Sequence, residues 1–124
     1  MSYDILWCRT KKLASAYEDA CDDYSVFDVH HTGINITFNV RAILDKCFKC
    51  DCWYNKIGFK NSKYVAKEVR KAISFISKKS NIAELEKLEP ENKWGTVEDT
   101  KGFLIDLKNS AEELNGEGFL VVSK

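Results

Sequence analysis

The 124 residues are 44% hydrophobic and 31% charged, an ordinary globular balance that excludes a disordered tail or a fibrous repeat. A chain of this length buries about two thirds of its unfolded surface, so a single domain over residues 1–124 needs no staple to fold. The 19 basic and 19 acidic residues cancel, but unevenly: the balance is −3 over Met1–His31, +8 over Thr32–Ala83 and −5 over Glu84–Lys124. Such a basic middle either presents a polyanion-binding face or is neutralised when the acidic ends fold onto it, and both readings stand at this point.

In chain order, Tyr3–Arg9 is a short apolar run that reads as a buried strand. Thr10 then caps a helix whose apolar positions, Leu13, Ala16, Tyr17, Ala20, Cys21 and Tyr24, share one face. Residues 25–39 read as a hairpin, with strands Val26–His31 and Ile34–Asn39 joined by a Thr32-Gly33 turn. Phe27, Val29, Ile34, Ile36 and Phe38 then face the core, and Asp28, His30, Asn35, Thr37 and Asn39 face away. Asn39 caps a helix with Val40, Ile43, Leu44, Cys47 and Phe48 on its apolar side. The stretch 50–61 is irregular and aromatic. A longer helix follows to Lys79, with Val65, Val69, Ala72, Ile73 and Ile76 inward and Lys63, Lys67, Arg70 and Lys71 outward. One or two further turns span Asn81–Leu88, and Trp94 lies in a loop. Thr96 with Asp99 forms a capping box for the last helix, which Asn115-Gly116 stops, and Phe119–Ser123 closes the chain as a strand. This order implies an α+β fold: a small antiparallel or mixed sheet of about four strands with three or more helices on one face.

The densest chemical cluster is Cys47-x-x-Cys50-x-Cys52. Thiolates at this spacing ligate zinc when a second two-ligand knuckle follows, and none follows here, so no metal or other cofactor is expected. The five cysteines are odd in number and read as reduced thiols rather than a secreted disulfide framework. No apolar run reaches the roughly 18 residues of a membrane span. The start lacks the order of a signal peptide, so the expected address is the cytoplasm.

Nucleophile-elbow and phosphate-loop motifs are missing, which favours a non-enzymatic role. Trp53, Tyr54 and Trp94 stand in expected loops, as interface anchors or, for Trp94, as a plug over the helix ends. With Lys63, Lys67, Arg70 and Lys71 they make the expected partner-binding set. The same basic face, with stacking at Trp53 and Tyr54, is the nucleic-acid-binding alternative. Asp28, His30, Asn35 and Thr37 are the small-ligand or enzymatic alternative.

Tyr3-Asp4-Ile5, the stretch Asn35-Ile36-Thr37-Phe38-Asn39 before a helix, Trp94-Gly95 with Phe103-Leu104 and Leu107, and the closing strand resemble small uncharacterised phage and prophage proteins. The similarity extends over most of the chain in length and element order. It implies a mobile-element origin and a small α+β fold, and it carries no site residues. The expectation is therefore a binding protein acting on a host protein in the host cytoplasm, such as an inhibitor of a defence nuclease of the CRISPR type. Acidic and basic surfaces meeting between copies is a further arrangement that the charge pattern permits.

Overall fold

A strand covered on both faces has no solvent side, so it reads as a continuous apolar run rather than an alternation. The computed structural model, which describes residues 1–16 and 29–124, places the Ile5–Cys8 run in such a strand. β1 (Ser2–Cys8) lies between β2 (Val29–Thr37) and β3 (Phe119–Ser123) in an antiparallel sheet of order β2-β1-β3. Tyr3, Ile5 and Trp7 face the main core. Leu6 and Cys8 face the other side, where they meet Val121 of β3 and Ala14 of α1 (Lys11–Ala16). Thr10 caps α1 as expected, its hydroxyl accepting from the Leu13 N–H at 3.1 Å. The rest of the expected helix to Tyr24, including Cys21, lies outside the described residues.

Among the described residues the sheet has three strands rather than the expected four. The expected hairpin is replaced by one strand, β2, that runs through Thr32-Gly33. Its pairing with β1 shifts between Asp4↔Asn35 and Leu6↔His31, which marks a bulge. The Thr32 hydroxyl donates to the Ile5 carbonyl at 2.7 Å and accepts from the Ile34 N–H at 3.0 Å. A left-handed glycine suits a tight turn and a bulge alike, and Gly33 has φ of +78°. The tether from Thr32 to β1 selects the bulge. Beyond it Ile34 and Ile36 face the core as expected. Val26, Phe27 and Asp28 lie outside the described residues.

Thr37, rather than Asn39, ends the strand with a cap, its hydroxyl accepting from the Asn39 N–H at 3.4 Å. A 3-10 turn, Phe38–Val40, leads into α2 (Arg41–Cys47), which buries Ile43, Leu44 and Cys47. The segment expected to be irregular contains α3 (Trp53–Ile57). Its cap comes from outside the local sequence: Asp45 Oδ1 accepts from the Trp53 N–H at 2.8 Å. α4 (Ser62–Ser77) starts on an Asn61 cap and buries Val65, Val69, Ala72 and Ile76. α5 (Lys79–Glu86) contributes Leu85 to the core. α6 (Val97–Leu114) opens on the Thr96–Asp99 capping box and ends at Asn115, which has φ of +49°.

Helices α2 to α6 thus cover one sheet face through a single core, and α1 sits on the other. Trp7 Nε1 donates to Ser110 Oγ at 2.9 Å, tying the central strand to α6. α4 and α6 run antiparallel, since Arg70 meets Glu112 while Ile76 lies beside Val97. No described helix is long and apolar enough to cross a membrane.

Candidate interaction surface

The three tryptophans separate cleanly. Trp7 is 2% exposed, Trp53 0% and Trp94 72%. Trp53, expected as a surface anchor, is a core residue. Its Asp45-capped helix turns it inward against Tyr3, Phe48, Tyr54 and Phe103, with ring centroids between 5.0 and 6.2 Å away. Tyr54 is half-buried, and its ring is engaged by the Lys124 ammonium at 4.2 Å and the Arg41 guanidinium at 5.3 Å. The stacking platform that a single-strand binder requires is therefore absent at this pair.

Of the four cations of the expected basic face, Arg70 and Lys71 form ion pairs. Arg70 Nη2 sits 2.9 Å from Glu112 Oε1, which also accepts from Arg70 Nε at 3.0 Å. Lys71 lies 3.6 Å from Glu68. The Lys63 methylenes lie over Gly116, so close that a Cβ there would be 3.0 Å from Lys63 Cε. Lys67 is exposed. Exposed ion pairs add little stability, but each cancels the local field; Glu112 belongs to the acidic C-terminal segment and Glu68 to the basic middle itself. Nor do these cations join Trp94 in one patch. Lys63 stands near the C-terminal end of α6 and Trp94 at its N-terminal end, and 18 helical residues span about 27 Å.

The Trp94 loop is held at each end. Asn92 Oδ1 accepts from the Trp94 N–H at 3.0 Å, and Glu89 Oε2 accepts from the Val97 N–H at 2.7 Å. Between them the buried Gly95 has φ of +105° and presses on the β2–α2 junction. A Cβ there would lie 2.7 Å from Val40 Cγ1, 3.0 Å from Thr37 Cγ2 and 3.4 Å from Asn39 Cβ. The backbone is thus seated while the indole stands in solvent, and Trp94 does not plug the helix ends.

Of the residues expected in a separate site, Thr37 packs against this loop at Gly95, and Asn35 lies with it beside the first turns of α6. They line a groove of 570 Å³ against α6 with Glu98, Asp99 and Asp106. Asp28 lies outside the described residues, and for His30 only the backbone pairing opposite Trp7 is placed. A second groove, of 390 Å³, was not legible in the sequence. Its floor is Ile76, Ile82 and Val97, and its rim is Glu86, Glu89, Glu98 and Lys101. Ile82 shares a helical spacing with Leu85 and Leu88, but its meeting with Ile76 and Val97 depends on how α5 packs against α4 and α6.

Among the described residues no group of three or more His, Cys, Asp or Glu side chains is placed to hold a metal. Cys47 lies in the core, and burial pushes its thiol from an ordinary value near 9 up to about 12. Burial raises Cys50 as well. A thiol that stays protonated when folded favours the folded state below pH 9, and that contribution drains as pH rises from 9 towards 12. Stability should therefore fall by about 1 kcal/mol per pH unit above 9 in excess of the loss in Cys47→Ala. Urea unfolding of both proteins between pH 8 and 10.5 measures the difference; equal slopes would exclude the effect.

Comparison with known protein families, with curated proteins and with solved structures finds no match for this chain.

Proposed function

We propose that this chain is a non-enzymatic binding protein that docks another protein through the surface at the α6 N-terminus, with Trp94 as its anchor. The observation that carries the reading is the 72% exposure of Trp94 on a loop whose backbone is fixed by Gly95 and three hydrogen-bonded caps. Burying an indole of this size stabilises a complex by roughly 2 kcal/mol or more, and tryptophan is enriched among interface hot spots. A fixed loop also loses little conformational freedom on binding. The resemblance to phage and prophage proteins favours a host protein as the partner, met in the host cytoplasm. A defence nuclease of the CRISPR type is the narrower form of the same proposal.

Affinity capture from host lysate, with nuclease treatment, compares the wild-type chain with Trp94→Ala. The expected result is a nuclease-resistant protein partner whose affinity drops about 30-fold in Trp94→Ala, the loss typical of a hot spot. Capture of nucleic acid alone, or of a partner indifferent to Trp94, would overturn the proposal.

A further inference from the structure

We infer that the segment received at this surface is basic and amphipathic: apolar side chains enter the Ile76–Ile82–Val97 groove, and lysines or arginines meet the carboxylates around it. The inference rests on the reading of Trp94 as a docking anchor and adds the chemistry of its partner. The groove has an apolar floor, with Ile82 half-exposed, and a rim of three carboxylates against one ammonium. Glu89 is committed to the Val97 N–H. Glu86 and Glu98 are exposed and form no ion pair among the described residues. Round the N-terminal turn of α6, the neighbouring groove adds Asp99 and Asp106, with no cation in its lining.

The overall charge of zero does not cancel this field. The cations of α4 at Lys63 are about 27 Å away, and at physiological ionic strength the Debye length is about 8 Å. Of the nearer cations, Lys87 is tied to Glu84 at 3.3 Å and Lys101 stands on the rim, while Lys93 on the loop and Lys78 and Lys79, between Ile76 and Ile82 in the chain, are exposed and weaken the field of the carboxylates. A helix or extended segment carrying cations beside aliphatic residues matches both the rim and the floor.

The test titrates the full chain with a peptide of about 18 residues, roughly five helical turns, built from leucine and lysine so that one face is apolar. A counterpart replaces every lysine with glutamate. Trp94 reports binding, since the other two indoles are buried. The leucine–lysine peptide should bind with an affinity that falls with salt, and the glutamate peptide should not bind. Glu86→Lys with Glu98→Lys should weaken binding about tenfold, whereas Glu113→Lys with Glu117→Lys, an equal change of net charge elsewhere, should change it less than about twofold. Equal losses in the two double variants would show generic attraction and overturn the inference. So would binding of the glutamate peptide, or a concentration-dependent dimer that Glu86→Lys with Glu98→Lys dissolves, which would make a second copy the occupant. A captured natural partner that depends on Trp94 but not on Glu86 and Glu98 would leave the docking role standing and remove this inference alone.

Discussion

Trp53→Ala is expected to cost about 3–5 kcal/mol of stability, the range for deleting a large aromatic side chain from a packed core. The indole is fully buried and touches rings from β1, the residue capping α2, and α6, as well as its own helix. Four elements converge on it, so the cavity cannot close by shifting any one of them, which places the cost near the top of the range. Since a domain of this size is stable by only about 5–15 kcal/mol in all, the variant sits close to unfolding. Trp53→Phe should lose far less, about 1–2 kcal/mol. Phenylalanine leaves a smaller void, and it lacks the buried Nε1–H, which interacts with the Tyr3 hydroxyl only short of hydrogen-bond geometry. Urea unfolding provides the measurement, with a shifted midpoint at unchanged slope. A loss under about 1 kcal/mol in Trp53→Ala would contradict the role of this residue as the hub of the core.

Much of the fold was legible because local chemistry and tertiary structure agree. The stripe Val65, Val69, Ala72 and Ile76, the Thr96–Asp99 box and the apolar runs of β1 and β3 each carry their own signal over a few residues. What was not legible depends on partners distant in sequence. Thr32-Gly33 fits a hairpin turn as well as a bulge, and only the hydrogen bond to Ile5, 27 residues away, separates them. Trp53 reads as a loop aromatic until Asp45 caps its helix and turns it inward. Arg70 reads as an available cation until Glu112, 42 residues on, neutralises it.

The candidate site shows the same division. Trp94 was identifiable as an aromatic residue in a loop, and Asn35 and Thr37 as polar positions on a strand. Their adjacency was not, because it runs through Gly95 and its fit against Val40, residues with no apparent chemistry of their own. The site is therefore assembled by backbone packing, and its carboxylates are drawn from α5, α6 and the loop between them. Segment charge alone left open whether the basic middle presents a binding face or is neutralised by the acidic ends. Within the fold Arg70–Glu112 is the pair that joins the two segments, and the carboxylates of the grooves at the α6 N-terminus stay outside it.

Gly95→Ala tests whether that packing presents Trp94. At φ of +105° an L-residue is strained by about 1–3 kcal/mol, and the added methyl meets Val40 Cγ1 at 2.7 Å and Thr37 Cγ2 at 3.0 Å. Val40 is fully buried, so it cannot yield outward. The lower-cost response is for the loop to lift, which lets the indole leave its position. Overpacking of this kind costs a further 1–3 kcal/mol or so, for an expected total of about 2–6 kcal/mol. The folded fraction should also lose partner binding although Trp94 itself is retained. Val40→Ala removes the closest clashing atom, so the double variant should be less destabilised than the sum of the two single changes, by about 1 kcal/mol. The strain at φ should persist. A double-mutant cycle by urea unfolding, with partner capture as the second readout, measures both effects. Additive losses, or a Gly95→Ala chain that folds stably and binds normally, would mean that Trp94 is presented by something other than this contact.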